Sequence, residues 1–218
     1  MIVAQNGRPL SPEQRRDEEA RIDRFVREPE ELRKKKRQEQ EDAERTLRIV
    51  RALPDAFLFE YAGEEQSSPR VGRLGDPLVK IKFRPNPKYD PPSRIEEVQT
   101  GMQGELLIDP MRNRLAKIDG VLFKSVSFGW GILGRLDKGG HFLVTQQEVD
   151  DDDWEISRMK LNFTGKVLLL KSISIQSNEV FGDFKRVPGM TFAQGVELLK
   201  KQERPVENNS KSSGMTPN

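Results

Sequence analysis

The segment Gly104–Phe123, GELLIDPMRNRLAKIDGVLF, constrains the fold most, because one turn signal splits two alternating apolar runs. Leu106 and Ile108 alternate with Glu105 and Leu107 before Asp109-Pro110-Met111-Arg112-Asn113. Ala116, Ile118, Gly120 and Leu122 then alternate with Lys117, Asp119 and Val121. An Asp-Pro pair between two period-two runs predicts a β-hairpin. The rest of the chain reads as further antiparallel strands on either side of it, with a charged helical segment in front.

Val79-Lys80-Ile81-Lys82-Phe83-Arg84 alternates strictly, so its apolar residues face a core and its basic ones face water. Phe57–Tyr61 reads as another strand, residues 62–77 as a Gly/Ser/Pro-rich loop and the proline-rich residues 85–94 as an extended connection. Ser125–Gly140 is dense in glycine around Phe128, Trp130, Ile132, Leu133 and Leu136. That spacing fits a sheet bend, a short helix with glycine ends or a lid. A strand is expected over His141–Val149, a turn over Asp150–Asp153 and a return strand over Trp154–Phe163. Thr164-Gly165 should then turn into Val167–Gln176, where the apolar run Val167–Leu170 calls for cover on both faces. A further strand end and a Pro-Gly turn are expected over 178–192, a short helix over Phe192–Lys200 and a disordered polar tail over 203–218.

Ahead of the strands, Ser11-Pro12-Glu13-Gln14 is a helix start: Ser at the N-cap, Pro at the first helical position and Gln closing a capping box. This helix carries Ile22, Phe25 and Val26 on one stripe. Pro29, followed by two glutamates, opens a second helix whose apolar residues are sparse until Leu47, Ile49, Val50 and Leu53, with Pro54 as its stop. The basic block Arg33–Arg37 invites a phosphate-binding reading. Glu39, Glu41, Asp42 and Glu44 follow at once, however, and helical spacing makes this an internally paired, solvated face.

Composition supports that choice. The net charge is only +2 from 37 basic and 35 acidic residues, without the one-sided basic surface of a nucleic-acid binder. With no cysteine there is no disulfide framework, thiolate metal site or thiol nucleophile. No run reaches the ~20 apolar residues of a transmembrane helix. The start, MIVAQNGRPL, lacks the basic and long apolar regions of a secretory signal. Ile2-Val3-Ala4 before Asn6-Gly7 reads as a strand without an obvious partner, so further strands and an export signal are expected upstream.

Candidate chemistry is thin. His141 is the only histidine, and the sequence places no nucleophile beside it. Asp150–Asp153 lacks the spaced carboxylates and distal Glu of a Ca²⁺ loop and fits a solvated hairpin tip. The string Gly129-Trp130-Gly131-Ile132-Leu133-Gly134 matches G-x-G-x-x-G outside any βαβ context.

Several stretches together resemble the bacterial outer-membrane lipoprotein-sorting proteins, the LolA/LolB-like half-barrels. They are VAQNGRPLSPEQRRDEEARI, LVKIKFRPNP, the hairpin GELLIDPMRNRLAKIDGVLF, and FGWGILGRLDKGGHFLVTQQEV with Trp154 beyond it. Ile108-Asp109-Pro110 is similar to that family's W-x-D-P strand turn, with Ile108 or Leu107 where an aromatic is common. The resemblance covers nearly all of residues 1–200, and its motifs are structural. It implies an unclosed antiparallel barrel with helices over its mouth, a periplasmic or envelope location and a lipid or lipoprotein acyl chain held in an apolar hollow. It implies no catalytic residue, cofactor or metal, and leaves an envelope protein as a further partner.

The expected fold is therefore α+β: a curved, unclosed antiparallel sheet with long charged N-terminal helices and a short C-terminal helix. One half-barrel domain spans 1–202, lacks its first strands and carries a helical insert over 11–53; 203–218 is tail. The expected acyl-lining residues are Val79, Ile81, Phe83, Leu106, Ile108, Ile118 and Leu122, joined by Trp154 and Ile156. The alternative is a protein-interaction module with a fully packed sheet and an exposed charged helix. Replacing Lys34, Lys35 and Lys36 together by Gln is expected to leave the melting temperature nearly unchanged, since exposed pairs contribute ~0–1 kcal/mol each. A drop of many degrees would mean that this face is packed.

Overall fold

The alternation of the central hairpin propagates through an open antiparallel sheet of nine strands. The structure, a computed structural model, describes residues 1–5, 8–128, 133–150, 153–167 and 171–202. In chain order, β1 (Ala4–Gln5) and β2 (Arg8–Pro9) precede helices α1 (Pro12–Arg27) and α2 (Pro29–Ala56). β3 (Phe57–Gln66) and β4 (Pro77–Pro85) lead to a short helix, α3 (Arg94–Glu97), which runs into a 3-10 turn, Val98–Gly101. The remaining elements are β5 (Met102–Asp109), β6 (Arg114–Leu122), β7 (Val126–Phe128), β8 (Gly134–Leu136), β9 (His141–Asp150), β10 (Asp153–Val167), β11 (Lys171–Val180) and α4 (Phe192–Gln202).

The fold is α+β. The main path runs β3-β4-β5-β6-β9-β10, all antiparallel, with β11 on the far side of β10. The β7–β8 hairpin continues beyond the end of β9, with β8 paired to Gly165–Val167. β3 and β11 are edges, so the sheet is not closed. Register shifts at Tyr61/Glu64, Leu107/Ile108 and Ile156/Arg158 are the bulges that bend it.

The chain divides into two compact units, residues 1–43 with 186–218 and residues 44–185, where the sequence reading drew one domain over 1–202. In the first, the capping box forms as expected: the Ser11 hydroxyl accepts from the Gln14 amide and Gln14 Oε1 accepts from the Ser11 amide. Ile22 on α1 and Val196 on α4 are buried, and Lys200 on α4 pairs with Asp23 on α1. The buried Glu18 carboxylate accepts from the Arg21 guanidinium and the Ile2 amide. Those bonds, Arg21's foremost, hold its pKa at about 2 although burial pushes it up. β1 finds its partner locally in β2, with Ala4 opposite Pro9, so the strand expected to need an upstream neighbour has one within ten residues.

In the second unit the structure corrects three sequence expectations. α2 continues through Pro54 to Ala56: proline forfeits one helical bond, and packing of Leu53 and Ala56 against Phe57 and Phe83 holds the last turn. β3 runs on to Gln66 through the Ala62-Gly63 bulge, into the stretch expected to be loop. The connection after β4 holds no element up to residue 93, as expected, and then runs into helical turns over 94–101. β10 passes straight through Thr164-Gly165, because a side chain at Gly165 would meet the Arg135 carbonyl of β8 at 2.2 Å and glycine lets the strands close. The apolar residues 168–170, the Asp151-Asp152 pair, Gly129–Ile132 and the tail 203–218 lie outside the described residues.

Two buried clusters hold this unit. One joins Ala56, Phe57, Phe83 and Leu106, with Leu53, Ile81, Tyr89, Ile108, Ile118 and Phe142 packed around them. The other joins Leu78, Leu107 and Ala116 with Val71 and Trp154 on the opposite face, beneath the loop between β3 and β4. The first depends on facing glycines: Gly104 and Gly120 are register partners, and the Phe142 and Phe83 rings lie over Gly120. A Cβ at Gly120 would sit 2.3 Å from the Phe142 ring, whereas one at Gly104 would sit 2.0 Å from the Asp119 backbone oxygen. A ring can yield and a paired backbone carbonyl cannot. Gly104→Ala is therefore expected to cost more than Gly120→Ala in urea unfolding, where overpacking costs about 1–3 kcal/mol. Equal losses would show that the ring is as fixed as the backbone.

Candidate functional site

Paired residues of neighbouring strands share a face, so the register sorts the sheet into two chemistries. One row runs Tyr61, Ile81, Leu106, Ile118, Val144, Met159 from β3 to β10. The next runs Phe59, Phe83, Gly104, Gly120, Phe142, Leu161, and Phe163 lies opposite Ile175 on β11. This face is apolar across the six strands from β3 to β10, and on β11 it carries Ser177 and Glu179 beside Ile173 and Ile175. The other face carries Glu60, Lys82, Glu105 and Asp119 in register, then Leu143 and Lys160.

The apolar face is covered unevenly. Over β4–β6 it is sealed by Leu53, Ala56 and Tyr89; Phe83 and Leu106 are buried and Leu122 is 0 % exposed. Toward β10 and β11 the cover thins: Val144, Met159, Leu161 and Phe163 are only half-buried, and Ile175 is 46 % exposed. Phe59 and Tyr61 at the β3 edge, and Leu47 and Val50 on α2, are also exposed.

Of the expected lining residues, Val79, Ile81, Phe83, Leu106, Ile108, Ile118 and Leu122 share this face. Phe83, Leu106 and Leu122 are interior packing, and Val79, Ile81, Ile108 and Ile118 are half-buried. Of the other two, Ile156 lies opposite Gln146, two along from Val144, and Trp154 packs elsewhere. Trp154 packs into the Leu78–Leu107–Ala116 cluster, and Ile156 is 38 % exposed. The ladder shifts at Asp153/Trp154 and again at Ile156/Arg158, and alternation cannot be counted across a bulge. Sequence reasoning passed over the thinly covered part, although Met159-Lys160-Leu161-Asn162-Phe163 alternates as strictly as β4 does.

On the polar face, charges pair across strands. Lys80 bridges Glu65 at 3.1 Å and Glu105 at 3.3 Å, Lys117 lies 3.2 Å from Asp119, and His141 Nε2 lies 2.8 Å from Asp119 Oδ1. Burial pushes the Asp119 pKa up, but hydrogen bonds from His141 and Lys117 outweigh it and leave the carboxylate below its usual value. A groove of about 490 Å³ opens on this face, lined among others by Glu60, Lys82, Gln103, Glu105 and Val121. A second, of about 290 Å³, lies between the β3–β4 loop and Arg158. His141 is thus the partner of a structural carboxylate. Among the described residues no cluster of three or more His, Asp or Glu is placed to hold a metal ion, and no helix is long and apolar enough to cross a membrane.

At the turn end of the β5–β6 hairpin the sequence reading missed a charge cluster. Asp109, 0 % exposed, accepts from the Met111 and Arg112 amides and from the Arg112 guanidinium. Arg112 also reaches Asp76 at 2.7 Å and Glu148 at 3.2 Å. The available signal was an Asp-Pro turn with arginine three residues after the aspartate. No protein-family model, curated protein or solved structure matches the chain.

A depressed carboxylate contributes stability above its unfolded pKa and loses it as pH falls through the folded value. His141→Ala is expected to move Asp119 upward toward the ordinary carboxylate range, so the loss begins at higher pH. Carboxyl-carbon NMR titration of wild type and variant reads this directly, and an unmoved Asp119 would assign its depression to Lys117 alone.

Proposed function

We propose that this chain is a non-enzymatic binding module that holds a lipid or lipoprotein acyl chain against the apolar face of its sheet. The observation that carries the reading is the thinly covered continuation of that face over Val144, Met159, Leu161, Phe163 and Ile175. Exposed apolar residues scattered singly need no explanation; a strip that prolongs a core along one face does. An acyl chain needs no polar contact to stay there, since each buried methylene contributes ~0.8 kcal/mol. The resemblance to lipoprotein-sorting half-barrels supports the same ligand and a site of action in the cell envelope. In this reading Phe83, Leu106 and Leu122 form the floor, and Met159, Leu161 and Phe163 make the contact.

The second reading, an interaction module with a packed sheet, draws support from the burial of Phe83, Leu106 and Leu122 under the protein's own side chains. Titrating the full-length protein with an environment-sensitive fatty-acid probe separates the two. Saturable uptake is expected, abolished by Met159→Glu or Leu161→Glu with strand content unchanged by circular dichroism. Absence of saturable uptake by the intact protein overturns the acyl reading in favour of the interaction module.

A further inference from the structure

The two edges of the sheet differ. β3 is broken by its bulge between Tyr61 and Glu64, a device that blunts an edge. β11 has none: it pairs with β10 without a register shift from Lys171 to Val180, contains no proline, and its outward residues Ser172, Ser174, Gln176 and Asn178 are exposed. The Phe181 amide donates to the Ser157 carbonyl, continuing the β10–β11 ladder. In an antiparallel ladder residues alternate between bonding the neighbour and pointing away. Odd-numbered residues of β11 therefore bond β10, and Ser172, Ser174, Gln176 and Asn178 turn their amides and carbonyls outward. These four alternate residues of an uninterrupted ten-residue strand thus present a free ladder to another strand.

We infer that this edge pairs with β11 of a second copy of the chain, antiparallel, about a two-fold axis through Ile175. The register is chosen by what the strand carries at its ends. With Ile175 opposite itself, Lys171 of each copy faces Glu179 of the other, and Ser172 and Ser174 face Asn178 and Gln176. The outward-turned residues then face one another, as the ladder requires, and exchange two hydrogen bonds per pair. A shift of the axis by one residue either way sets Lys171 and Glu179 opposite uncharged positions. Opposite charges across a strand pair favour the register and like charges disfavour it. A two-fold interface is self-complementary in this sense, each contact occurring twice. The pairing joins the apolar faces of the copies through Ile173 and Ile175, so the joint sheet offers a longer strip than either copy alone. It stands independently of the acyl reading.

Sedimentation velocity of the full-length protein across a concentration series tests it. A reversible dimer is expected for the wild type. Lys171→Glu should weaken dimerisation at least about tenfold, because both ends then place like charges opposite, and the double variant K171E/E179K should restore it. Ser174→Pro should also leave a monomer at unchanged strand content, since its lost amide faces outward and the β10 ladder is intact. A wild type that stays monomeric to about 100 µM overturns the inference. So does a dimer that Ser174→Pro leaves intact, or a charge exchange that fails to restore what Lys171→Glu removed.

Discussion

A carboxylate fully withdrawn from water at the tip of the central hairpin is the constraint on which the sheet depends. Asp109 is acceptable there only because two backbone amides and the Arg112 guanidinium take up its oxygens. The same guanidinium extends to Asp76 beside β4 and to Glu148 near the end of β9, so three separate segments converge on one fork. Such a cluster gives little net stability over an apolar replacement of the same shape, but it penalises alternatives heavily. Sliding β6 by one residue along β5 would pull Arg112 from its carboxylates and turn Lys117 and Asp119 into the core in place of Ile118 and Gly120. Hydrophobic burial makes a sheet; this fork makes one register of it.

Once the register is set, the polar face inherits a difficulty and its remedy. Glu105 and Asp119 stand directly opposite each other on β5 and β6, an arrangement that costs stability. Lys80 reaches Glu105 from one side, and Lys117 with His141 reaches Asp119 from the other. The sole histidine is explained by this neighbourhood. Its position on β9 opposite Val121 brings the ring beside the Asp119 oxygen.

What was legible in the sequence follows from how locally each feature is determined. The capping box at Ser11–Gln14 and the alternation of Val79, Ile81 and Phe83 are fixed by neighbouring residues, and both hold in the structure. Pro54, Ala62-Gly63 and Thr164-Gly165 are strong local breakers, and each was overridden by something distant: the Phe57–Phe83 packing, the β4 partner strand and the Arg135 carbonyl. Trp154 was assigned to the wrong cluster because a bulge changes the count of alternate positions and nothing local to Ser157 announces one. The convergence of Asp76, Arg112 and Glu148 depends on residues 36 apart in either direction, and only the folded sheet brings them together.

Among the described residues the apolar face reaches farther than the side chains that cover it. α2 contributes Leu53 and Ala56 to the cluster, while Val50 and Leu47, about one and two turns earlier, remain exposed. The strands do the same, with Phe83 and Leu106 sealed and Phe59, Tyr61 and Ile175 open. Surplus therefore stands on helix and sheet alike. A chain selected only for its own stability loses by this, because exposed large apolar residues invite aggregation and contribute no burial. Gly104 and Gly120 show how closely the middle of the face is packed: two adjacent strands give up side chains there, and the Phe83 and Phe142 rings come up against Gly120. The bent middle of the face is filled from within, whereas beyond it Val144, Met159, Leu161 and Phe163 are half-buried and Ile175 is exposed.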